Sequence, residues 1–342
     1  MKRMLTTIAA VVAVGAVAAV SAGAKSNEGV LTGAGSTFVA PLVSLWQADY
    51  GSKTGTKIAY SPVGSGAGIA AITARQVDFG ATDAPLSPDQ FKACNGCVQV
   101  PWALSATAVI YNLSNVPNNL HLTGSVLAGI YLGQVTKWND PAIKALNSKV
   151  ALPSTGITPV YRSDNSGTSY NFTDYLSAVS AGWKSKIGTG VNANWPAGQG
   201  GKGSSGVAGV VSNTQGAVGY VDVAYALKNH LKFFSVRNNS GAYTTPGLRG
   251  INAAAATVKR VPASGELHIV NPPKADRLAY PICTFSYVVL PAKSSQAAAL
   301  RKFVFYAVSP TQGQKLGPKL LFAPLPKVVL VAAERTLTKV QV

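Results

Sequence analysis

The sequence predicts an α/β fold with largely parallel strands, and three observations carry that prediction. Short strand-like runs are each followed by a glycine-rich turn and then by apolar residues at helical spacing. The loops rich in glycine and hydroxyls all fall where such a strand hands over to a helix, which is where open α/β sheets bind ligands. The chain of 342 residues is also long enough for two lobes with separate cores.

The elements follow in order. Lys2 and Arg3, an apolar run from Ile8 to Val20 and the small residues Ala22-Gly23-Ala24 read as a signal peptide over 1–24, with cleavage before Lys25 and a soluble, exported product. A retained anchor is the alternative, but the apolar run is short of the about 20 residues a span needs. Gly33-Ala34-Gly35-Ser36-Thr37-Phe38 precedes a helix carrying Leu42, Leu45, Trp46 and Tyr50, with Pro41 tolerated in its first turn. Lys57 to Tyr60 alternates as a strand, Gly64-Ser65-Gly66 leads into a helix begun by Ile69 and Ile72, and Val77 and Phe79 mark a strand ending at Thr82-Asp83-Ala84-Pro85. The middle of the chain holds Tyr131-Leu132-Gly133, the turn Trp138-Asn139-Asp140-Pro141 and a buried strand at Val218-Gly219-Tyr220-Val221. The stretch Gly198 to Gly209 reads as a surface loop, with a phosphate cradle as its alternative. Residues 237–277 are polar and mixed and give no clear order. Pro281 to Leu290 is a strand, and Leu300, Phe303, Val304 and Ala307 form a helix that stops before Pro310. The tail from Lys327 is read as exposed and has no assignment.

Composition narrows the function classes. The chain is 47% hydrophobic and 12% charged, with a formal charge of +18. The basic residues are scattered, without runs or interleaved aromatics, which argues against nucleic acid and fits long-range attraction of small anions. Cys94 and Cys97 are compatible with a tight disulfide, half a metal site or a redox pair. The isolated His121, His230 and His268 offer no second metal-ligand pair, and a structural disulfide is the favoured reading. Cys283 reads as a buried free thiol. No metal, cofactor or catalytic residue is expected.

The chemistry concentrates in Arg162-Ser163-Asp164-Asn165-Ser166-Gly167-Thr168. Phe172, Tyr175, Leu176 and Val179 follow at i, i+3, i+4 and i+7, so the Ser-Gly-Thr step is predicted at a helix N-terminus. Free N–H groups and the positive dipole end gather there, and an arginine fork beside them suits a tetrahedral oxyanion. Dinucleotide fingerprints fail: Phe38 and Ile69 stand where the third glycine belongs, and no Walker lysine motif is present. Each glycine-hydroxyl loop alone is weak evidence, since such a turn is a helix cap more often than a ligand site. Together with Asp83 and Arg162 they make a specific set.

On these residues the chain resembles the periplasmic phosphate-binding proteins of the high-affinity phosphate ABC transporter, the PstS family. The matching segments are Leu31 to Phe38, Val63 to Gly66, Val77 to Leu86, Tyr131-Leu132-Gly133, Lys137-Trp138, Arg162 to Phe172, Gly200 to Gly203, Gly216 to Val221 and the strand near Tyr280-Pro281-Ile282. The resemblance spans most of the chain, weakest from 235 to 278 and in the tail. It implies a two-lobed periplasmic-binding-protein (type II) fold, one lobe from 25–106 and 281–342 and the other from 107–280, with the ligand in the cleft. It implies an exported monomer that hands inorganic phosphate to membrane permease subunits. The implied ligand shell is the Thr37 hydroxyl, the Phe38 N–H, the Ser65 hydroxyl, the Arg162 fork, and hydroxyl and N–H groups of Ser166, Gly167 and Thr168. Asp83 would accept a hydrogen bond from the protonated ligand, and Asp164 would hold Arg162. An ionised carboxylate only accepts, so it suits hydrogen phosphate and repels sulfate, which has no proton to give. A surface turn for Asp83 and a simple turn or cap for Asp164 are the structural alternatives. Tyr161 stands where the family often has a second basic residue. A secreted phosphohydrolase, or a binder of sulfate or another oxyanion, is the competing function.

Overall fold

The computed structural model describes residues 29–342; the signal-peptide reading over 1–24 lies outside the described residues. The first run of elements is β1 (Val30–Gly35), α1 (Ala40–Thr54), β2 (Lys57–Ser61), α2 (Ser65–Thr73), β3 (Phe79–Thr82), α3 (Pro88–Cys94) and β4 (Cys97–Tyr111). The middle continues with β5 (His121–Leu122), α4 (Gly124–Tyr131), α5 (Pro141–Leu146), β6 (Thr158–Arg162), α6 (Gly167–Val179), α7 (Ala181–Lys186), β7 (Gln199–Gly201), α8 (Gly203–Asn213), β8 (Ala217–Asp222) and α9 (Val223–Lys228). Then come β9 (Lys232–Phe233), β10 (Ser235–Arg237), β11 (Tyr243–Thr244), α10 (Leu248–Ala255), β12 (Cys283–Pro291), α11 (Ala297–Val308), a 3-10 helix (Gly313–Leu320) and α12 (Lys327–Leu337).

The mixed α/β class follows the sequence, but strand direction does not follow it throughout. The main sheet runs β2-β1-β3-β12-β4-β8-β6-β7, with β9 also on β4. Its two ends are parallel, β1 with β2 and β3, and β6 with β7 and β8. Its centre is antiparallel, β12 with β3 and β4, and β4 with β8. The reason is that β4, 15 residues long, serves both ends. Cys97 to Ala106 pairs with β12, and Thr107 to Tyr111 pairs with β8. Both long strands are buried on both faces, so they read as apolar runs without alternation and give no hint of direction.

Local rules explain the elements that flank the site. The spaced residues Leu42, Trp46 and Tyr50 are buried along α1, Pro41 occupies its first turn, and Gly55 at φ 74° closes it with an N–H bond to the Gly51 carbonyl. Around them Trp46 packs on Trp102 (ring centroids 5.0 Å) and Phe79 on Phe303 (5.8 Å). Beyond the β4 switch, Phe172 stacks on Tyr220 at 4.1 Å, with Tyr131 edge-on to Phe172.

Two readings are corrected, for Gly198 to Gly209 and for the tail, and the stretch left without order is placed. Gly198 to Gly209 is no loose loop but a strand, a turn and the start of α8, held because Ala or larger at Gly201 would strike the α8 backbone (2.6 Å to the Val207 nitrogen). Residues 237–277 contain β11 and α10, and the segment after them lies on the central strands. There Gln99 Nε2 donates to the Ser264 carbonyl (2.8 Å) and the Leu267 N–H donates to Tyr287 Oη (3.0 Å). The tail is α12, not exposed chain, with Val329, Ala333 and Leu337 buried at i, i+4 and i+8. Cys283 is a buried free thiol whose burial pushes its pKa up. Among the described residues no helix is long and apolar enough to cross a membrane.

Candidate functional site

Five chain segments, each leaving a strand, meet at one point. The first is the turn after β1. Gly35 has φ 142°, and a Cβ there would sit 2.1 Å from the Ala81 carbonyl, so β1 and β3 approach closely only because this residue is glycine. Ser36 follows, fully buried. Its Oγ donates to both Asp83 oxygens (2.6 and 2.7 Å) and accepts from the N–H groups of Phe38 (3.0 Å) and Val39 (3.3 Å). Thr37 Oγ1 lies 2.9 Å from Ser204 Oγ and accepts from the Ser204 N–H at 3.2 Å.

The second segment is Gly64-Ser65-Gly66 at the start of α2. Gly64 has φ 99°, and any side chain there would meet Asp164 Oδ2 at 2.4 Å. Ser65 is buried, with Oγ 3.4 Å from Asp83 Oδ2, and the Gly66 N–H donates to the Asn165 carbonyl at 3.0 Å. The third segment delivers Asp83, which is 1% exposed. Besides Ser36 and Ser65 it receives Ser286 Oγ from β12 at 2.8 Å.

The fourth segment is the arginine loop. Arg162 is 2% exposed. Its Nε and Nη2 donate to the two Asp164 oxygens at 2.7 and 2.5 Å, the bidentate geometry that suits a guanidinium and a carboxylate. Nη1 reaches Thr168 Oγ1 at 3.4 Å. The helix starts as the spacing predicts: Ser166 is the N-cap of α6, its Oγ accepting from the Ser169 N–H at 3.1 Å. That bond uses a lone pair and leaves the Ser166 proton for another acceptor. Tyr220 Oη fixes the corner, accepting from the Arg162 N–H (3.1 Å) and bonding Ser169 Oγ (2.7 Å). A Cβ on Gly167 would lie 2.6 Å from the Asp83 nitrogen and 2.7 Å from Ser65 Oγ, so glycine is what lets the helix end press against the other loops. The fifth segment is Gly203-Ser204, where the Gly203 N–H donates to Asp164 Oδ1 at 3.0 Å.

The structure thus brings together Thr37, Phe38, Ser65, Asp83, Arg162, Asp164, Ser166, Gly167 and Thr168. One detail differs from expectation: the Phe38 N–H is engaged by Ser36, and the Phe38 ring is buried edge-on to Phe322. Ser36, Ser204 and Ser286 belong to the cluster and were not singled out. Ser36 lies within Gly33 to Phe38, Ser204 within the glycine-rich stretch, and Ser286 in an apolar strand with no local signal. Tyr161, at the position without a basic residue, stacks on Trp195 at 5.2 Å. Cys94 and Cys97 lie apart from the cluster and are joined as a disulfide. Arg75 Nη1 donates to both sulfurs at 3.4 and 3.3 Å.

The electrostatics are asymmetric. Burial pushes the Asp83 carboxyl up from its ordinary 3.8 to about 6, against the pull of Ser36, Ser286, Arg162 and Ser65. For Asp164, burial also opposes the charge, but Arg162 and the Gly203 N–H outweigh it and hold the carboxyl below its usual range. The cluster therefore offers several donors (Arg162, Ser65, Ser166, Thr168 and the α6 N-terminus) and one acceptor without a cation bonded to it, Asp83. Such a set matches a tetrahedral oxyanion that keeps a proton. Among the described residues, no three His, Cys, Asp or Glu side chains are arranged to hold a metal.

Comparison with known proteins bears on family and fold. A family model described as a PBP superfamily domain matches residues 20–311. Phosphate-binding protein PstS of Xylella fastidiosa (strain 9a5c) is 41% identical over 299 residues, covering 86% of this chain and 81% of that protein. The protein of the same name from Pasteurella multocida is 38% identical over 303 residues, 88% of this chain and 87% of its own. Among solved structures, a putative phosphate ABC transporter substrate-binding protein with bound phosphate from Clostridium perfringens superposes with a TM-score of 0.64 at 19% identity, covering 87% of this chain and all of that one. A phosphate-binding protein from Stenotrophomonas maltophilia gives 0.71 at 18% identity, covering 90% and 93%. At these identities the two structures speak for the fold alone, a PBP-like α/β architecture. The matched family model and the length over which the curated relatives align make the assignment: the chain belongs to the PstS phosphate-binding protein family.

Proposed function

We propose that this protein captures inorganic phosphate in a cleft between two lobes, 25–106 with 281–342 and 107–280, and delivers it to the membrane permease subunits of an ABC importer. The observation that carries the reading is the convergence of the Arg162 fork, the Ser65 and Thr168 hydroxyls and the α6 N-terminus on one side of a single buried acceptor, Asp83. Thr37, Ser166 and Gly167 complete the shell and Asp164 orients Arg162, while the Phe38 N–H is spent on Ser36 Oγ. The lobe division is supported by the change of β4 partner between Ala106 and Thr107. The Xylella fastidiosa and Pasteurella multocida relatives are named phosphate-binding proteins, which supports the choice of ligand. Hinge closure would bury the ligand, and the protein acts as an exported, periplasmic monomer without catalysis or cofactor.

Titration calorimetry of the ligand-free chain tests this. One-to-one phosphate binding with no sulfate response at neutral pH is expected; absence of phosphate binding would sink the reading. A chromogenic phosphate ester distinguishes the hydrolase alternative, and no turnover is expected.

A further inference from the structure

Asp83 is useful against sulfate only while it is an acceptor, and among the described residues the side chains bonded to it are hydroxyls rather than cations. What keeps it so is written in the hydrogen bonds of Ser36. A hydroxyl has one proton and two lone pairs. Here the N–H groups of Phe38 and Val39 both point at Ser36 Oγ. With its acceptor capacity taken up by backbone donors, Ser36 faces Asp83 only as a donor, at 2.6 and 2.7 Å. A protonated Asp83 would find no lone pair there. Ser286 adds a second hydroxyl at 2.8 Å to Oδ1, its alternative acceptor, the Thr82 carbonyl, being farther at 3.3 Å. Both serines are fully buried, so water does not replace either bond.

We propose that Ser36, supported by Ser286, is a specificity-determining positioning residue: it relays the donor polarity of the turn entering α1 to Asp83 and so keeps phosphate preferred over sulfate. This rests on the phosphate reading above. The other ionisable groups facing Asp83 are Arg162 from β6, Asp222 at the end of β8, Tyr60 from β2, Tyr225 from α9 and Tyr287 from β12. Arg162 is the one cation among them. Burial drives Asp222 and the three tyrosines towards their neutral forms. The hydroxyls therefore carry the balance that Arg162 leaves.

The test uses the ligand-free chain labelled with carboxyl-13C aspartate, the Asp83 signal being identified by its loss in Asp83→Asn. Its titration is followed in wild type, Ser36→Ala and Ser286→Ala. In parallel, calorimetry with inorganic phosphate and with sulfate is run from pH 5 to 8. In wild type the Asp83 signal titrates near 6 and the phosphate-to-sulfate ratio declines below that pH. In Ser36→Ala both profiles move up by about one unit, so the ratio at mildly acidic pH drops about tenfold; Ser286→Ala moves them the same way by less. The ionisation of phosphate itself is common to all three proteins and cancels. Unmoved Asp83 titration and an unmoved ratio in the variants, with phosphate still bound, overturn this inference alone. Wild type that binds no phosphate removes the functional reading and this inference with it. Should Ser36→Ala not fold, Ser286→Ala decides: an unmoved titration there overturns the relay, and an upward shift supports it.

Discussion

The two acids at the heart of the cluster differ in what donates to them, and their charges differ accordingly. Asp164 faces a guanidinium through two bonds and takes a backbone N–H besides. Its carboxyl is held low even though burial opposes it. Asp83 is buried more completely and faces hydroxyls, with Arg162 acting only through space. Its carboxyl rises to about 6. Neutral donors offset burial only in part, whereas a bonded cation overcomes it. One carboxylate is thereby a fixed strut and the other a tunable acceptor.

The strongest way to break this contrast is to remove the strut. Asp164→Ala leaves the Arg162 guanidinium buried without its bidentate partner. Stripping one member of a buried pair costs about 3–5 kcal/mol, so a fall of that order is expected in urea unfolding of the ligand-free protein. Because the cation then lacks a counter-ion, added phosphate should restore a larger share of stability than it adds to wild type. Equal phosphate stabilisation in both proteins would mean that the Arg162 charge does not face the ligand.

The second test exploits opposite pH signs. The folded-state value of Asp83 lies above its ordinary 3.8. The stability tied to its neutral form is therefore complete below about 3.8, and is lost as pH rises through about 6. A rise of that size corresponds to about 3 kcal/mol. Asp164 has a lowered value, so its contribution is present at neutral pH and lost as pH falls through the acid range. Asp83→Asn removes the first effect only. The stability difference between Asp83→Asn and wild type, both ligand-free, should move in favour of the variant by up to about 3 kcal/mol between pH 4 and 7. The same variant should lose much of its preference for phosphate over sulfate at neutral pH. A difference that stays flat with pH would show that Asp83 is not raised.

How much of this could be read from the chain follows from where each signal lies. Arg162 to Thr168, Gly64-Ser65-Gly66 and Thr37 sit in loops that enter helices, where each alone could be a cap but the set of them with Arg162 and Asp83 is specific, and the helix after Arg162 to Thr168 announces its own N-terminus by spacing. The Asp164 partnership came through family resemblance and the structure places its bonds. The direction of the central strands was hidden because β4 and β12 are apolar on both faces, and their pairing joins residues nearly two hundred positions apart, Ala106 with Cys283. Ser286 was invisible for the same reason: a serine in a buried strand looks like a packing residue until its partner across the sheet is known. Val329, Ala333 and Leu337 of α12 stand at helical spacing in the chain, so this helix was legible although the tail is read above as exposed.

Gly167 lets the α6 end press against the Asp83 loop, and a smaller change there tests whether that contact is needed. Gly167→Ala puts a methyl within 2.6 to 2.8 Å of the Asp83 and Ala84 nitrogens and of Ser65 Oγ. These are backbone atoms and a buried hydroxyl, so the α6 end must retreat. A cost of about 1–3 kcal/mol is expected, as for overpacking in a core. Phosphate affinity should fall with it, because Thr168 and the helix N–H groups withdraw from Asp83. Retained affinity would mean that the helix end can withdraw from the acceptor without losing the ligand.

The smallest effect is expected at a second arginine that holds no acid. Arg75 donates to the sulfurs of Cys94 and Cys97 and to the Ile72, Cys94 and Asn95 carbonyls. Its location ties the far end of α2 to the start of β4, while Ser65 lies at the near end. Reduction of a bridge spanning a sequence separation of 3 releases little loop entropy, about 2 kcal/mol in the chain-entropy account. Arg75 would keep its carbonyl bonds and go on bracing the turn. Cys94→Ser with Cys97→Ser should therefore lower the unfolding free energy modestly and leave phosphate affinity and sulfate rejection as they are. If affinity instead dropped with the bridge, the α2 N-terminus would have to be held from its far end, and the separation drawn here between a chemical cluster and a mechanical staple would not stand.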